Sequence, residues 1–253
     1  TQIQLGRVRY LDGGWQAMVD GLGAVADGAG VLRVRARVAA VERLADRWQV
    51  RLAGDAGPLD AATVVLAVGS PAATARLAGL DADALVAAAG PAAEASCLDL
   101  GLRRPVSPWF LLGVDDPLYL AQHAPPAALA PDGMATVSLA RYLSAGERPE
   151  PDEVRIQLLA HAARVGIGAD DIVVERSLHR MVAAHGIPLA SRGGFAGRPG
   201  VEVPGRPGLY VAGDWVGDEG LLVDASFASA RRAGQGASSR ALAQVGGGGV
   251  AAA

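Results

Sequence analysis

The chain has 253 residues and is 51% hydrophobic, enough for a sizeable core in one large domain or two smaller ones. Its formal charge of −3 gives no electrostatic basis for binding nucleic acid. Basic charge is carried by arginine alone, because the sequence contains no lysine, and the arginines are scattered among acids.

Gly13-Gly14-Trp15 opens a helical pattern with Trp15, Met18, Val19, Leu22 and Val25 on one face, and Gly28-Ala29-Gly30 stops it. Residues 31–34 read as a short strand, 35–44 as a second, and 47–52 alternate at period two. Residues 59–68 read as one strand whose second half is fully apolar, as in a strand buried on both faces, broken by Gly69-Ser70-Pro71. Residues 76–95 are alanine-rich and helical. Residues 96–103, 109–113, 118–123 and 136–142 read as strands between proline-rich turns, which predicts an antiparallel sheet. Pro151 opens a helix to about Val165, with Asp152 and Glu153 in its first turn. Residues 171–177 form another strand, and 186–207 read as loop, within which 192–198 has the look of a phosphate-binding loop but reads rather as a flexible connector. Residues 209–212 form a short apolar strand ending in Gly213-Asp214, followed by a loop at 215–220 and a helix from near Leu222. Residues 244–253 read as a disordered, low-complexity tail.

The fold class predicted is α/β (α+β). An α/β piece at each end assembles into one domain, and an antiparallel-sheet-plus-helix insertion forms a second. The expected borders are 1–75, 76–190 and 191–243.

Cys97 is the single cysteine, which excludes an internal disulfide and a cysteine-based metal cluster; it reads as a buried small hydrophobe. His123, His161, His179 and His185 lack metal-ligand spacing, so no metal is expected. Asp115-Asp116 and Asp170-Asp171 read as turn or helix caps. No run approaches the roughly 18 apolar residues that span a bilayer, and no secretory h-region is present. A cytoplasmic location is the expectation, and the absence of an initiator methionine points to a segment upstream.

Gly21-Leu-Gly23-Ala-Val-Ala26 carries the letters of a dinucleotide-binding turn, with Glu42 at the distance of a ribose carboxylate. Residues 15–20 have helical periodicity, so no strand feeds these glycines and the match is read as the end of a helix.

The segment 208–232, GLYVAGDWVGDEGLLVDASFASARR, closely resembles the C-terminal flavin-binding signature of the FAD-dependent amine oxidase and phytoene desaturase superfamily. Residues 10–22 resemble the family's re-entry into the FAD domain, 34–42 the strand pair beside adenine, and 64–71 the apolar strand ending beside the dinucleotide. The resemblance implies an incomplete FAD-binding Rossmann-like domain with an inserted substrate domain, lacking the N-terminal glycine-rich turn. By the same resemblance Val38 contacts adenine through its main chain, and Asp214, after Gly213, bonds the ribityl or pyrophosphate region. The N–H groups at the start of the last helix, Val223 the best match, face flavin N1 and the C2 carbonyl. Leu222 and Ser226 complete the implied FAD-binding set, and no catalytic side chain is implied.

Two departures favour the phytoene desaturase-like branch and a small apolar substrate. Amine oxidases of this fold usually place a lysine near flavin N5, and they tend to carry an aromatic residue near the position of Leu222. Trp109, Phe110, Tyr119 and Tyr142 are the candidate cavity lining. The alternatives are an amine oxidase, or a truncated gene product or half-protein that is non-catalytic alone and needs an N-terminal partner; that partner segment or a homo-oligomer is the expected association.

Overall fold

The computed structural model describes residues 10–54 and 57–247, side chains being described as far as residue 244. In chain order its elements are helix α1 (Gly14–Gly28), strands β1 (Val38–Arg43), β2 (Trp48–Leu52), β3 (Leu59–Ala61) and β4 (Val64–Leu66), and helices α2 (Pro71–Ala78) and α3 (Ala82–Ala89). Strands β5 (Ala93–Leu102), β6 (Phe110–Leu112), β7 (Leu118–Ala124) and β8 (Ala135–Leu143) follow. Helix α4 (Pro151–Ala163), strands β9 (Ile172–Ala184) and β10 (Leu209–Val211) and helix α5 (Val223–Gly247) complete the chain. Short 3-10 turns lie at Ala169–Asp171, Ala190–Arg192 and Gly194–Gly197. The mixture of helices and sheets is α+β. No described helix is long and apolar enough to cross a membrane.

The chain divides into two compact units: Glu94–Met181 with the part up to Val34, and Arg35–Ala93 with the part from Val182 onward. These borders differ from those read at residues 75 and 190.

The first unit is built on a five-stranded sheet of order β6-β7-β8-β5-β9, antiparallel where β5, β6, β7 and β8 pair. Period-two alternation divides its residues between two faces. Leu98, Leu100, Leu102, Leu120, Val137 and Leu139 lie at 0 or 1% exposure and form one core with Val154, Leu158 and Ala162 of α4. Their strand neighbours Cys97, Asp99, Thr136, Ser138, Tyr119 and His123 are only half-buried. Cys97 is therefore partly exposed rather than fully buried, because it sits on the second face. Helix α4 starts with Pro151 and two first-turn acids, and buries Val154, Leu158, His161 and Ala162 as one stripe. Asp171 accepts the Gly168 N–H at 2.9 Å, capping the turn before β9.

Helix α1 contains the whole Gly21–Ala26 pattern, so those glycines do not form a nucleotide-binding turn. The helix has no buried residue, and Trp15, Val19, Leu22 and Val25 are all exposed. Its start is fixed by the Asp12 carboxylate, which accepts the Ala128 N–H at 2.9 Å, and by Gly13 N–H donating to Ala128 O at 3.3 Å.

The second unit holds an antiparallel sheet of order β1-β2-β3 and a parallel pair, β4 with β10. Ser70 caps α2 by accepting the Ala73 N–H at 3.1 Å, and Asp81 caps α3 by accepting the Ala84 N–H at 3.0 Å. Helix α5 lies on β10 through small residues: a Cβ at Gly236 would stand 2.8 Å from the Tyr210 ring.

Five sequence readings are corrected. Residues 31–34 form no strand; apolar content alone made them read so, and they have no ladder partner. Residues 59–68 are two strands, because the chain leaves β2 after Ala61 and turns at Ala62-Thr63 to pair with β10. The helical stretch at 76–95 is two helices, interrupted by Gly79 at φ 62° and ended by Gly90 at φ 93° before Pro91. The strand read at 171–177 continues to Ala184. The expected tail enters α5 as far as Gly247, and its residues 248–253 lie outside the described residues.

His161 is 2% exposed, and neither ring nitrogen has a hydrogen-bond partner among the described residues. Burial pushes its imidazole below the ordinary histidine range. A depressed folded pKa means stability is fully present above the unfolded value, about 6.5, and is lost as pH falls toward the folded value. In thermal melts, His161→Leu, which keeps volume and removes the charge, narrows the fall in Tm between pH 7 and pH 5.

Candidate functional site

The site begins where β10 ends. Leu209, Tyr210 and Val211 are buried, and the Ala212 N–H extends the pairing to Leu66 O at 3.0 Å. Gly213 then donates its N–H to Ser229 Oγ at 3.1 Å, which ties the strand end to the third residue beyond Ser226 on α5. Trp215 turns back beneath the strand ends, fully buried, and its indole N–H donates to Gly69 O at 2.7 Å. A Cβ on Gly213 would lie 2.8 Å from Trp215 Nε1, so the indole demands glycine there.

Asp214 follows at the carboxyl end of the parallel pair. Its Oδ2 accepts the main-chain N–H of His185 at 2.8 Å, and its Oδ1 lies 3.2 Å from His185 Nδ1. The main-chain oxygen of Asp214 accepts from Arg198 Nη1 at 3.1 Å. Arg198 Nη2 donates to Glu219 O at 3.3 Å and Gly220 O at 3.0 Å. Arg198 is 7% exposed, and its burial pushes the guanidinium below its usual range while Asp218 and Asp214 pull the other way. The stretch read as a flexible connector therefore ends in a buried clamp, because one guanidinium serves three carbonyls that no ladder satisfies.

Arg232 pairs with Asp218 and with Glu219, the latter at 3.2 Å, and holds the loop on α5. Leu222 adopts φ 53°, a conformation costly for a side chain with a Cβ. Asp224 N–H bonds to Leu221 O at 3.0 Å and Ser226 N–H to Leu222 O at 3.1 Å. The N–H groups of Leu222 and Val223 make no hydrogen bond among the described residues. Leu221, Leu222, Val223 and Phe227 surround them as exposed apolar side chains. Ser226 Oγ donates back to Leu222 O at 3.2 Å.

Five of the residues read from sequence, Gly213, Asp214, Leu222, Val223 and Ser226, thus follow one path from a buried strand end into a helix. Val38 lies in β1, an edge strand with an irregularity between Val38 and Ala40, and packs against the core cluster that holds Trp48 and Trp215. Open N–H groups beside an apolar rim suit a planar group with acceptor atoms on one edge, and the residues present fit a flavin ring there. His185, Arg198, Trp215 and Ser229 were not found by sequence. Ser229, three residues beyond Ser226 on the same helix face, carried a signal; His185, 29 positions from its carboxylate partner, carried none.

The first unit contains a cavity of about 1630 Å³ on the second face of its sheet. Tyr10, Trp15, Trp109, Phe110 and Tyr119 wall it, with Phe110 and Tyr119 edge to face at 5.5 Å. Tyr142 does not line it and is 45% exposed. The floor is polar: Asp99 accepts from Ser138 Oγ at 2.7 Å, and Thr136 Oγ1 is buried with no partner among the described residues. His123 lies 5.3 Å from the Tyr10 ring, and burial pushes its imidazole down while Asp99 pulls it up. Among the described residues, no three His, Cys, Asp or Glu side chains gather to hold a metal ion.

Arg198→Met removes the clamp and strands three carbonyls. Urea unfolding should show a loss of about 2–3 kcal/mol, and amide exchange across 214–220 should quicken.

No protein-family model matches the sequence, and no curated protein matches it either. Among solved structures, an oxidoreductase from Methanosarcina mazei matches with TM-score 0.64 and 18% identity, over 88% of this chain and 55% of that one. Cyclohexylamine oxidase from Brevibacterium oxydans matches with TM-score 0.56 and 19% identity, over 90% and 52% of the two chains. A putrescine oxidase double mutant, made in a structure-based redesign of cofactor binding, matches with TM-score 0.57 and 17% identity, over 89% and 53%. The chain spans about half the length of these structures, and over that span it has the fold of the amine oxidase and related oxidoreductase structures.

Proposed function

We propose that this chain is part of an FAD-dependent oxidoreductase, with the cofactor held by the unit that carries β10 and α5. The observation that carries the reading is the buried strand running through Gly213-Asp214 to a helix start with open N–H groups at Leu222 and Val223. When bound, the flavin would supply the acceptor for a hydride taken from a substrate C–H bond. The chain's own part is binding and electrostatics. Asp214 accepts from hydroxyls of the cofactor, Val38 offers main-chain groups at a sheet edge, and Gly213, tied to Ser229, brings the strand end to α5. The start of α5 offsets negative charge on the ring by roughly 0.3–1 kcal/mol.

For the substrate, the aromatic cavity and the absence of lysine support an apolar molecule, as in a phytoene desaturase-like enzyme. One observation favours the amine oxidase reading instead: the half-buried Asp99 carboxylate among aromatic rings is an arrangement that holds a cation. An N-terminal partner segment is the further proposal. The parallel pair β4–β10 is too small a sheet to stand alone, and the apolar face of α1 is exposed.

The visible spectrum and released-ligand mass of the purified chain test the cofactor directly. About one flavin per chain supports the reading. No flavin after incubation with excess FAD refutes cofactor binding by this chain alone and favours the partner version. Where flavin binds, Asp214→Asn should weaken it about tenfold or more, the loss of one charged hydrogen bond. The substrate readings separate on Asp99→Asn, followed by tryptophan fluorescence. A long-chain alkylamine should lose about tenfold in affinity if the carboxylate holds a cation, whereas an apolar substrate predicts no change and equal binding of the matching hydrocarbon.

A further inference from the structure

We infer that His185 is the positioning residue for Asp214, so that the two act as one binding unit. The inference rests on the assignment of Asp214 to the cofactor and adds a residue that no sequence pattern marks.

Both carboxylate oxygens of Asp214 turn to the same residue: one takes the His185 main-chain N–H at 2.8 Å, the other faces Nδ1 at 3.2 Å. Two contacts from one residue fix rotation about the carboxylate bond, which a single contact leaves free. Asp214 retains 15% side-chain exposure and His185 27%, so the pair is largely shielded yet open on one side. A carboxylate offers about four lone-pair sites; with two turned to His185, the others are available to a donor from outside.

The main chain that carries His185 is itself held. At Gly186 a Cβ would meet Ala89 O at 2.6 Å and Trp215 Cβ at 2.8 Å, so the backbone lies directly against the residue that follows Asp214. Ile187 N–H bonds to Pro91 O at 2.8 Å. From the opposite side, Arg198 grips the Asp214 main-chain oxygen at 3.1 Å. Backbone and side chain of Asp214 are thus fixed by different segments, as pre-organised contacts are in binding sites. In the tautomer that carries hydrogen on Nδ1 the ring donates to Asp214 and leaves Nε2 as an acceptor.

The test uses the full chain with FAD as the probe, with folding of each variant checked by thermal melt. His185→Leu keeps the main-chain N–H but loses the ring contact; His185→Asn restores a donor near the position of Nδ1. Expected are a loss of FAD affinity of about tenfold for His185→Leu, recovery to within about threefold for His185→Asn, and no further loss when His185→Leu is added to Asp214→Asn. Equal affinity of His185→Leu and the parent chain, failure of His185→Asn to recover, or additive losses would overturn the inference. An Asp214→Asn variant that binds FAD as the parent does sinks the cofactor assignment instead. A readout without flavin keeps the pair testable: amide exchange at residue 185 should be at least about tenfold faster in Asp214→Ala. An unchanged rate there means that the carboxylate does not hold this segment and refutes the positioning role.

Discussion

The second unit depends on one buried indole. Trp215 is fully excluded from solvent, and its N–H reaches Gly69 O, so the chain leaving β10 is tied to the chain leaving β4. An unsatisfied indole N–H in that position would cost about 1–3 kcal/mol, and an aromatic of this size dominates a small core. Three backbone segments meet Trp215: Gly213 from its own strand, where a Cβ would stand 2.8 Å from the indole nitrogen, Gly69 from the neighbouring one, through its carbonyl oxygen at 2.7 Å, and Gly186 from the returning β9 connection, where a Cβ would stand 2.8 Å from the Trp215 Cβ. Each approach has a consequence at the surface. The first sets the direction of Asp214, the second joins the two strand ends, and the third brings His185 against the carboxylate.

The first unit solves a different problem with a simpler rule. A sheet needs only one face to bury its apolar side chains, and α4 covers that face with a stripe of four residues. The second face is then free to carry groups that a core would not accept. Asp99, Thr136 and Ser138 alternate with buried apolar residues along β5 and β8, and His123 lies between buried Gln122 and Ala124 on β7. Their presence costs the core nothing because the pleat removes them from it. The same alternation puts aromatic residues of β6 and β7 beside them, so polarity and aromatic surface meet in one cavity.

Much of this arrangement was legible in the sequence wherever a local period decided the outcome. The four strands between proline-rich turns, the capped helices and the strand-Gly-Asp-loop-helix order each follow from spacing over a few residues. The glycine pattern at 21–26 was readable as a helix for the same reason, since the apolar residues before it recur at helical intervals. What the sequence hid depends on contacts across long separations. Residues 31–34 have strand composition but no ladder, and 59–68 looks continuous until two different partners divide it. Trp215 read as part of a loop, although its burial is set by Gly69, 146 positions away. Asp99 sits in a run of core leucines, and only the register with β8 shows that it meets Ser138.

The start of α5 joins these observations into one constraint. Leu222 holds a left-handed conformation that costs a non-glycine residue roughly 1–2 kcal/mol, and its side chain is 55% exposed, so its own burial does not offset the cost. The strain persists because the loop before it is determined from several sides. Arg198 takes the carbonyls of Glu219 and Gly220, Arg232 pairs with Asp218 and Glu219, and Gly220 is packed so closely on Asp224 that a Cβ would stand 2.8 Å away. Relaxing Leu222 would require giving up the buried guanidinium contacts as well as the surface pairs. The open N–H groups at Leu222 and Val223 are therefore held in place by the loop rather than exposed by fraying, and backbone donors fixed before a ligand arrives need not be ordered when it binds.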